Sequence, residues 1–332
     1  MKRRDFMKLS AGFGAAAALT PLSPVGAQTK SVFKASDVQP PGYPTVAATE
    51  NLGKKLEAAT NGRLSVQMFP SMQLGGEKET IEQTQIGAIQ MLRVSVGTMG
   101  PIVDDINVVN MPFLFRNTAH AQKMMDGPIG QELLDKITAS PNAGLVALSW
   151  MDSGARSLYN TKKPIKTIED LKGLKFRVIG NPIFVDMMNA LGGNGVAMGY
   201  DQVFSALQTG VIDGAENNPP SYVFSNHYTA AKYYSLTEHL IIPEVLLFSK
   251  KAWSSLSGDD QSLIKKFARE AQLEERDLWN KYEKLAMEKA LAAGCQVSEI
   301  TDKKPFQDAV KPVWDKYGPK YQDMVKRIQA IA

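Results

Sequence analysis

The sequence has few of the residues that build metal sites and disulfide bridges. Among its 332 residues there is one cysteine, Cys295, which has no partner for an internal disulfide. The three histidines, His120, His227 and His239, stand far apart, and no run of carboxylates has the spacing of a calcium loop. Walker loops, nucleophile elbows and dinucleotide-binding glycine patterns are also missing. We therefore predict a protein that has no metal or cofactor and is not an enzyme.

An excess of charge of one sign is missing as well. The formal net charge is +4, and the four cationic residues among the first eight, set against Asp5, account for three of these charges. The rest of the chain is nearly neutral, which gives no basis for a nucleic acid or an anionic membrane as a partner. With 44% hydrophobic and 22% charged residues, the composition is that of a soluble globular protein. The chain is long enough for two lobes with separate cores.

Residues 1–27 are predicted to be an export signal that directs the protein to the periplasm. They begin with Lys2-Arg3-Arg4, continue through an apolar segment from Leu9 to Leu19 that is too short to span a bilayer, and end on the small residues Val25-Gly26-Ala27. The run from Arg3 to Lys8 resembles a twin-arginine signal, which implies export in a folded state. A general secretory signal with a chance arginine pair is the alternative.

The clearest binding pattern lies in a short strand predicted from Leu174 to Val178. Apolar and cationic residues alternate there, and Gly180-Asn181-Pro182 ends the strand. Arg177 therefore stands at the carboxyl end of a strand, where open α/β sheets bind ligands. The helix that follows begins with free amide groups that suit an anion. The pattern indicates a carboxylate site on Arg177; a solvated arginine on an edge strand is the alternative.

Two polar residues lie within a strand predicted from Gln90 to Val96. Arg93 and Ser95 alternate there with apolar residues, and a second cation inside a strand strengthens the prediction of an anion site. Glu77 stands at a predicted helix start, where stabilisation by the helix dipole is the alternative role. Neutralisation of Glu77 or Asp104 is likewise the alternative role for Arg93.

A loop and a strand end supply the other candidates. Asp37, Gln39 and Tyr43 lie in the turn-rich loop after the first predicted strand, where loops often carry ligand contacts. An exposed polar loop is the alternative for these three residues. Asn217 ends a strand just before Pro219 and offers both a hydrogen-bond donor and an acceptor. Its alternative role is to close a turn.

Four motifs resemble, in the same order, those of the solute-binding subunits of tripartite ATP-independent periplasmic (TRAP) transporters, the DctP family. They are M-F-P-S-M-Q-L-G-G-E near residue 70, V-N-M-P-F-L-F-R near 110, G-A-R-S-L-Y-N near 156, and L-K-G-L-K-F-R-V with the later Q-T-G-V-I-D-G-A-E-N-N between 171 and 218. The resemblance covers nearly the whole chain after the export signal. Together with the later S-L-T-E-H, the E-N-N motif is more similar to the sugar-acid members than to the C4-dicarboxylate members.

The resemblance implies a fold. We expect an α/β, two-lobed periplasmic solute-binding protein (type II-like) with mixed sheets and with hinge strands that cross between the lobes near Asp152 and between Glu238 and Ile242. Lobe I is predicted to comprise residues 28–152 and 243–282, and lobe II residues 153–242 and 283–332. A long helix after Ser257 is predicted to span both lobes. Its apolar stripe is predicted to consist of Leu263, Phe267, Leu278, Tyr282 and Leu285.

The resemblance also implies roles for single residues. It makes Arg156 a second arginine at the ligand carboxylate, matches Asn217 to the family's site asparagine and places Glu77 where it could accept a sugar hydroxyl. Because two arginines at one anion need a balancing acid, Glu216 is predicted to lie beside them. Together, the residues predicted to bind the ligand are Asp37, Tyr43, Glu77, Arg93, Ser95, Arg156, Arg177, Glu216 and Asn217.

These observations predict a periplasmic solute-binding subunit that acts as a monomer. It captures an organic acid, above all a sugar acid such as a hexuronate, and delivers it to two integral-membrane subunits, one small and one large. A C4-dicarboxylate or a 2-oxo acid is the alternative ligand, and Arg93 could supply the cation that a second carboxylate requires. An exported sugar-acid enzyme and the accessory protein of a sensor are alternative functions.

Overall fold

The computed structural model describes residues 30–332, so the predicted export signal lies outside the described part of the chain. Within that part, strands alternate with helices and form two mixed sheets, one of five strands and one of six. No helix among residues 30–332 is both long enough and apolar enough to cross a lipid bilayer. The α/β class predicted from the sequence is confirmed.

Short strands make up both sheets. Their bounds are β1 (Ser31–Ser36), β2 (Leu64–Phe69), β3 (Met91–Ser95), β4 (Leu145–Met151), β5 (Ala155–Asn160), β6 (Lys175–Val178), β7 (Asn194–Ala197), β8 (Gly214–Asn217), β9 (Tyr233–Ile241), β10 (Glu244–Ser249) and β11 (Gln296–Glu299). The strands around the predicted site therefore lie within one or two residues of the positions expected from the sequence.

Helices connect and cover these strands. The α-helices are α1 (Pro44–Ala59), α2 (Glu77–Gln85), α3 (Val96–Met99), α4 (Thr118–Asp126), α5 (Pro128–Ala139), α6 (Pro182–Ala190), α7 (Val203–Thr209), α8 (Pro219–Phe224), α9 (His227–Ala230), α10 (Lys250–Trp253), α11 (Gly258–Ala292), α12 (Lys304–Ala309), α13 (Lys311–Tyr317) and α14 (Gln322–Gln329). Short 3-10 segments occupy Asp104–Asn110, Ile168–Leu171, Tyr200–Gln202 and Gly318–Tyr321.

The first sheet has the strand order β2-β1-β3-β10-β4. β1 runs parallel to β2 and β3, whereas β10 runs antiparallel to β3 and β4. In the register of β3 and β10, Ser95 at the end of one strand faces Glu244 at the start of the other. The polar ends of these two strands therefore meet at one edge of the sheet.

The second sheet has the order β11-β9-β5-β8-β6-β7. β6 lies between β7 and β8 and runs parallel to both, and Arg177 pairs with Val196 on one side and Ala215 on the other. Because β6 has neighbours on both sides, Arg177 is buried rather than solvated on an edge strand. The alternative role considered for it from the sequence does not apply.

Two short crossings join strands of one sheet to strands of the other, and α11 makes a third connection from β10 to β11, which gives the two-lobed fold. The first crossing, between β4 and β5, contains Asp152 and Gly154, and the second, between β9 and β10, contains Ile242 and Pro243. Gly154 has a φ of +58°, and a Cβ there would lie 2.8 Å from Glu283 Oε1 on α11. The long helix thus passes close to the first crossing, at a position whose left-handed backbone favours glycine.

Helix α11 has 35 residues and contacts α1 and β4 on the side of the first sheet and α8 on the side of the second. The helix was correctly predicted, but its apolar stripe was only partly correct. Leu285 is 54% exposed, whereas the small residues Ala268, Ala271 and Ala286 are buried. Small side chains let the helix backbone approach both sheets closely, and periodicity in the large apolar residues does not reveal this.

The C-terminal helices contact elements from both sides of the molecule. Trp314 Nε1 donates to Pro112 O at 3.0 Å, and Tyr317 donates its hydroxyl to Asp186 Oδ2 on α6 at 2.7 Å. These contacts join the last helices to segments that pack on each sheet. The assignment of residues 283–332 to lobe II, like the other lobe boundaries, therefore stays a prediction.

The carboxyl group of Glu275 on α11 is buried and bonds to the backbone of the first crossing. Glu275 is fully buried, and its Oε2 accepts a hydrogen bond from Asp152 N at 2.8 Å. The nearest charged groups are Asp152 itself, Glu244 and Arg276, and Arg276 forms ion pairs with Asp126 and Asp152. Burial first, and then repulsion from Asp152, raise the pKa of Glu275 well above its ordinary value. Between the ordinary pKa of a glutamate and this raised value, the folded protein binds a proton that the unfolded chain releases.

We predict that Glu275→Gln makes the protein more stable at neutral and alkaline pH. Since the folded-state pKa is raised, the contribution of Glu275 to stability falls as the pH rises from about 4.3 through the folded value, by about 1.4 kcal/mol for each pH unit between these two values. Glutamine keeps the acceptor for Asp152 N without this penalty. The free energy of unfolding can be measured with urea from about pH 5 to about pH 8. As the pH rises, its value for the variant should increasingly exceed its value for the parent.

Glu288→Gln is the matched control, because Glu288 lies on the exposed side of the same helix. The pH dependence of its free energy of unfolding should follow that of the parent. A Glu275→Gln profile that runs parallel to the parent's would show that Glu275 is ionised in the folded protein, contrary to the prediction.

Candidate functional site

A cleft lies between the two sheets, where strand ends from both of them meet. Its inner compartment has a volume of about 30 Å³, and an outer compartment of about 720 Å³ opens from it. Both compartments are lined by Glu77, Arg177, Ile179 and Tyr200. The residues considered from the sequence that line the inner compartment are Gln39, Glu77, Arg93, Ser95, Arg156, Arg177 and Asn217.

Arg177 is the buried cation of this cleft that has no carboxylate partner. It is 4% exposed, and no carboxylate oxygen of residues 30–332 lies within 4.0 Å of its guanidinium group. Its Nε donates to Met198 O at 2.9 Å, and the guanidinium carbon lies 5.7 Å from the centre of the Tyr200 ring. Burial lowers the pKa of Arg177 from its ordinary value, and the nearby Arg156 adds to this effect. The terminal nitrogens are thus left free for an anion.

Arg156, at the start of β5, is held by Glu216 on the neighbouring strand β8, where Glu216 pairs with Leu158. Its Nε and terminal nitrogens donate to both carboxylate oxygens of Glu216, at 2.5 and 2.8 Å. Burial would raise the pKa of Glu216, but the paired Arg156 lowers it to about 2. His239 Nε2 lies 3.7 Å from the same carboxylate. Arg156 and Glu216 therefore form a neutral pair, as the sequence predicted when it placed Glu216 beside the arginines.

The amide of Asn217 is oriented by this pair. Its Oδ1 accepts hydrogen bonds from Arg156 at 2.7 Å and from Asn218 N at 2.9 Å. The opposite side of the amide, Nδ2, has no hydrogen-bond partner among the described residues. Asn217 lines the inner compartment together with Arg177, so a donor amide and a free guanidinium face the same space.

Arg93 lies on the opposite wall and is surrounded by acids. It is 3% exposed and forms ion pairs with Asp37, with Glu244 at 2.8 Å and with Glu77 at 3.4 Å. Burial would lower the pKa of Arg93, but these carboxylates raise it well above its ordinary value. The alternative role considered for Arg93, neutralisation of Glu77, is therefore present in the structure.

Glu77 is the first residue of α2 and also lines the cleft, so both of its possible roles are compatible with its position. Its Oε1 accepts from Ser95 N at 3.0 Å, and its Oε2 accepts from the hydroxyl of Thr98. These contacts fix the carboxylate at the cleft wall. As a carboxylate, it can accept further hydrogen bonds from a ligand hydroxyl.

Three predicted site residues lie behind the cleft wall rather than on it. Asp37 is fully buried and uses its oxygens to bind Arg93, Gln39 N and Thr45. Tyr43 donates to or accepts from Ser221 at 2.9 Å, and Glu216 holds Arg156. The structure thus places them in contact with residues that line the cleft.

The sequence patterns did not reveal several lining residues, namely Val38, Ile179, Tyr200, Ser221 and Glu244. Tyr200 lies in a 3-10 segment after β7, and Ser221 lies on α8, where its side chain meets Gln39 and Tyr43 from the other lobe. Glu244 could have been found, because an acid at the start of a buried strand is unusual. No comparable signal marks Tyr200 or Ser221, whose positions depend on how the lobes meet.

One family of known proteins matches most of the chain. The model of DctP, described as "Bacterial extracellular solute-binding protein, family 7", matches residues 35–320. The chain belongs to this family. Its members are periplasmic binding proteins that bind small organic acids, work with the membrane subunits of TRAP transporters and are not enzymes. The family resemblance predicted from the four motifs is confirmed.

Solved structures of the same family share the fold. A TRAP solute-binding protein from Pseudomonas putida F1 with bound D-glucuronate is 56% identical, covers 91% of this chain and 97% of its own, and has a TM-score of 0.89. One from Xanthobacter autotrophicus Py2 with bound β-D-galacturonate is 45% identical, covers 90% and 100%, and has a TM-score of 0.87. The two-lobed architecture expected for this solute-binding protein is confirmed.

A relative solved in two states shows which arrangement of the lobes is present here. The Citrobacter koseri protein with bound D-glucuronate is 47% identical, covers 91% of this chain and 100% of its own, and has a TM-score of 0.89. Its apo, open structure is 45% identical, covers 90% and 98%, and has a TM-score of 0.80. The solute-binding protein described here is therefore more similar to the ligand-bound arrangement, in agreement with its narrow inner compartment.

Proposed function

We propose that this chain captures a hexuronate such as D-glucuronate or D-galacturonate and delivers it to a TRAP transporter for uptake. The observation that carries the proposal is the buried guanidinium of Arg177, which has no carboxylate partner among residues 30–332 and faces the same space as the amide of Asn217. Relatives of 56% and 45% identity hold D-glucuronate and β-D-galacturonate.

The chemistry of the two groups suits one carboxylate. The free terminal nitrogens of Arg177 can donate two parallel hydrogen bonds to a carboxylate, and Asn217 Nδ2 can donate a third. Because burial disfavours the charge of Arg177, an anion offsets the desolvation of the guanidinium when it binds. Closure of the lobes over the ligand would exclude water, and the lower local dielectric constant would strengthen the pair. We propose that Arg156 and Glu216 act through Asn217 by fixing its amide.

The other end of a hexuronate presents hydroxyl groups. Glu77, Ser95 and Glu244 line the same compartment and can accept or exchange hydrogen bonds with hydroxyls. Asp37 supports this wall from behind through Arg93, and Tyr43 bonds to Ser221 on the opposite lobe. The proposed site therefore contains all nine residues predicted from the sequence, some as ligand contacts and some as positioning residues.

Delivery requires that the lobes open and close. We propose that the two crossings act as hinges, that lobe I comprises residues 28–152 and 243–282 and lobe II the rest of residues 153–332, and that the membrane subunits recognise the closed monomer. A difference in affinity between open and closed forms is needed for directed delivery. We also propose that residues 1–27 direct export by the twin-arginine route.

One contact that joins the lobes is made by Asn181, the cap of α6. Its Oδ1 accepts from Ile183 N at 3.0 Å, which caps the helix, while its Nδ2 donates to Gly97 O at 3.1 Å and to Asn107 Oδ1 at 2.9 Å. Gly97 and Asn107 lie next to β3 of the first sheet, whereas Asn181 follows β6 of the second. We propose that these two hydrogen bonds form on closure.

Arg177 variants test the proposed function. Arg177→Lys keeps the charge and loses the paired donors, so its affinity for D-glucuronate should fall roughly tenfold or more. Arg177→Ala should lose on the order of 3 kcal/mol of binding free energy. Isothermal titration calorimetry measures both values. Lys175→Ala, on the exposed side of the same strand, is the control and should bind like the parent. Parent-like binding by a folded Arg177→Ala protein would refute the assignment.

Asn181 variants test closure. Asn181→Ser retains a helix cap and loses the donors to the other lobe, so the affinity for D-glucuronate should fall roughly fivefold or more, at about 1 kcal/mol for each net hydrogen bond. Asn181→Asp also retains the cap but places an acceptor against Gly97 O and Asn107 Oδ1, and its loss should be larger. Small-angle scattering should detect a smaller ligand-induced compaction in both variants. Unchanged affinity in both would mean that these contacts persist in the open form.

A further inference from the structure

We infer that the acidic wall of the cleft, formed by Glu77 and Glu244 around Arg93 with Asp37 behind it, selects acid sugars with one carboxylate and rejects the corresponding sugar diacids. The inference rests on the proposed function and names which acids the same site excludes. The cleft has one wall on the side of the first sheet and one on the side of the second, and the two walls differ in net charge.

The first-sheet wall has more acid than base. Arg93 forms ion pairs with three carboxylates, those of Asp37, Glu77 and Glu244. One guanidinium cannot neutralise three ionised acids, and its two terminal nitrogens are already used by these partners. Arg93 therefore has no free pair of donors for a ligand carboxylate, although the sequence had suggested it as the cation for a second one.

The acids that face the cleft are held in place. Glu77 is fixed by Ser95 N and Thr98, and Glu244 stands opposite Ser95 in the strand register. Burial, followed by repulsion from Glu77, raises the pKa of Glu244 above its ordinary value. A raised pKa is the response expected where carboxylates outnumber their cation. Another anion placed at this wall would meet the same repulsion.

The wall on the side of the second sheet has a net positive charge. The charges of Arg156 and Glu216 cancel, which leaves the unpaired Arg177 as its net charge. The cleft is thus cationic on the second-sheet side and acidic on the first-sheet side. A ligand with one carboxylate fits if it places that group on Arg177 and its hydroxyl donors against Glu77 and Glu244.

A uronic acid and the corresponding aldaric acid are a pair of ligands with one and two carboxylates, and they can be used to test this wall. Galactarate differs from D-galacturonate, and D-glucarate from D-glucuronate, because C1 at the far end is oxidised to a second carboxylate, which also replaces the sugar ring by an open chain. The effect of charge is therefore separated from that of shape by the glutamine variants of the wall. With one carboxylate on Arg177, the second would lie toward the acidic wall. Electrostatic repulsion across a few ångströms in a site with a reduced dielectric constant is large enough to decide selectivity.

Calorimetric titration of the parent protein with the two pairs tests the inference. The uronate of each pair should bind at least about a hundredfold more tightly than its aldarate. Glu77→Gln removes one negative charge and keeps the shape and the acceptor oxygen, so the preference should narrow by roughly tenfold or more, mainly through tighter binding of the aldarate. Glu244→Gln should act in the same direction and serves if Glu77→Gln does not fold. Circular dichroism and the melting temperature check folding.

Glu79→Gln is the matched control, since Glu79 is exposed two residues further along α2 and lines only the outer compartment. It should leave the preference unchanged. The inference is overturned if the parent binds aldarate and uronate equally well, or if both glutamine variants weaken the two ligands by the same factor. If the folded parent binds neither ligand, the proposed function fails, which is a separate result.

Discussion

The desolvated guanidinium of Arg177 is the constraint on which the cleft depends. Three arginines are buried around the cleft, and the chain neutralises two of them itself: Arg156 with Glu216, and Arg93 with a surplus of acids. Arg177 instead rests against the ring of Tyr200 and the carbonyl of Met198. A buried charge without a partner is costly in a folded protein. A fold that retains one gains a site where a ligand anion supplies the missing charge.

The architecture explains how this charge is held in place. Arg177 lies at the end of a strand with parallel neighbours on both sides, so the backbone cannot move toward a distant acid to relieve the imbalance. Asn217, at the end of the neighbouring strand β8, is oriented by Arg156. The opposite wall of the cleft belongs to the first sheet, which is joined to the second sheet by two short crossings. Each wall is built on its own sheet, and in the proposed closure the two crossings change only the position of one wall relative to the other.

Much of this arrangement could be predicted from the sequence, because it depends on local patterns. Alternation placed Arg177 and Arg93 in strands, and glycine and proline ended those strands near the observed residues. Tertiary contacts decided the rest. Whether Asp37 or Tyr43 would line the cleft or support it from behind depends on how the loop packs. Tyr200 and Ser221 come to the cleft from segments without a binding pattern. On α11, four alanines share the buried face with larger residues such as Ile264, Phe267 and Trp279, and the spacing of large apolar residues does not reveal these alanines.

Two sets of contacts that join the lobes around the cleft are uncharged: Asn181 donates to Gly97 and Asn107, and Ser221 bonds to Gln39 and Tyr43. Dissolved salt screens ion pairs but has little effect on hydrogen bonds between neutral amides and hydroxyls. A compartment outside the cytoplasm exchanges its salt with the surrounding medium. Neutral hydrogen bonds between the lobes keep nearly the same strength in fresh water and in brine, so salt acts on the encounter with the charged solute rather than on these contacts.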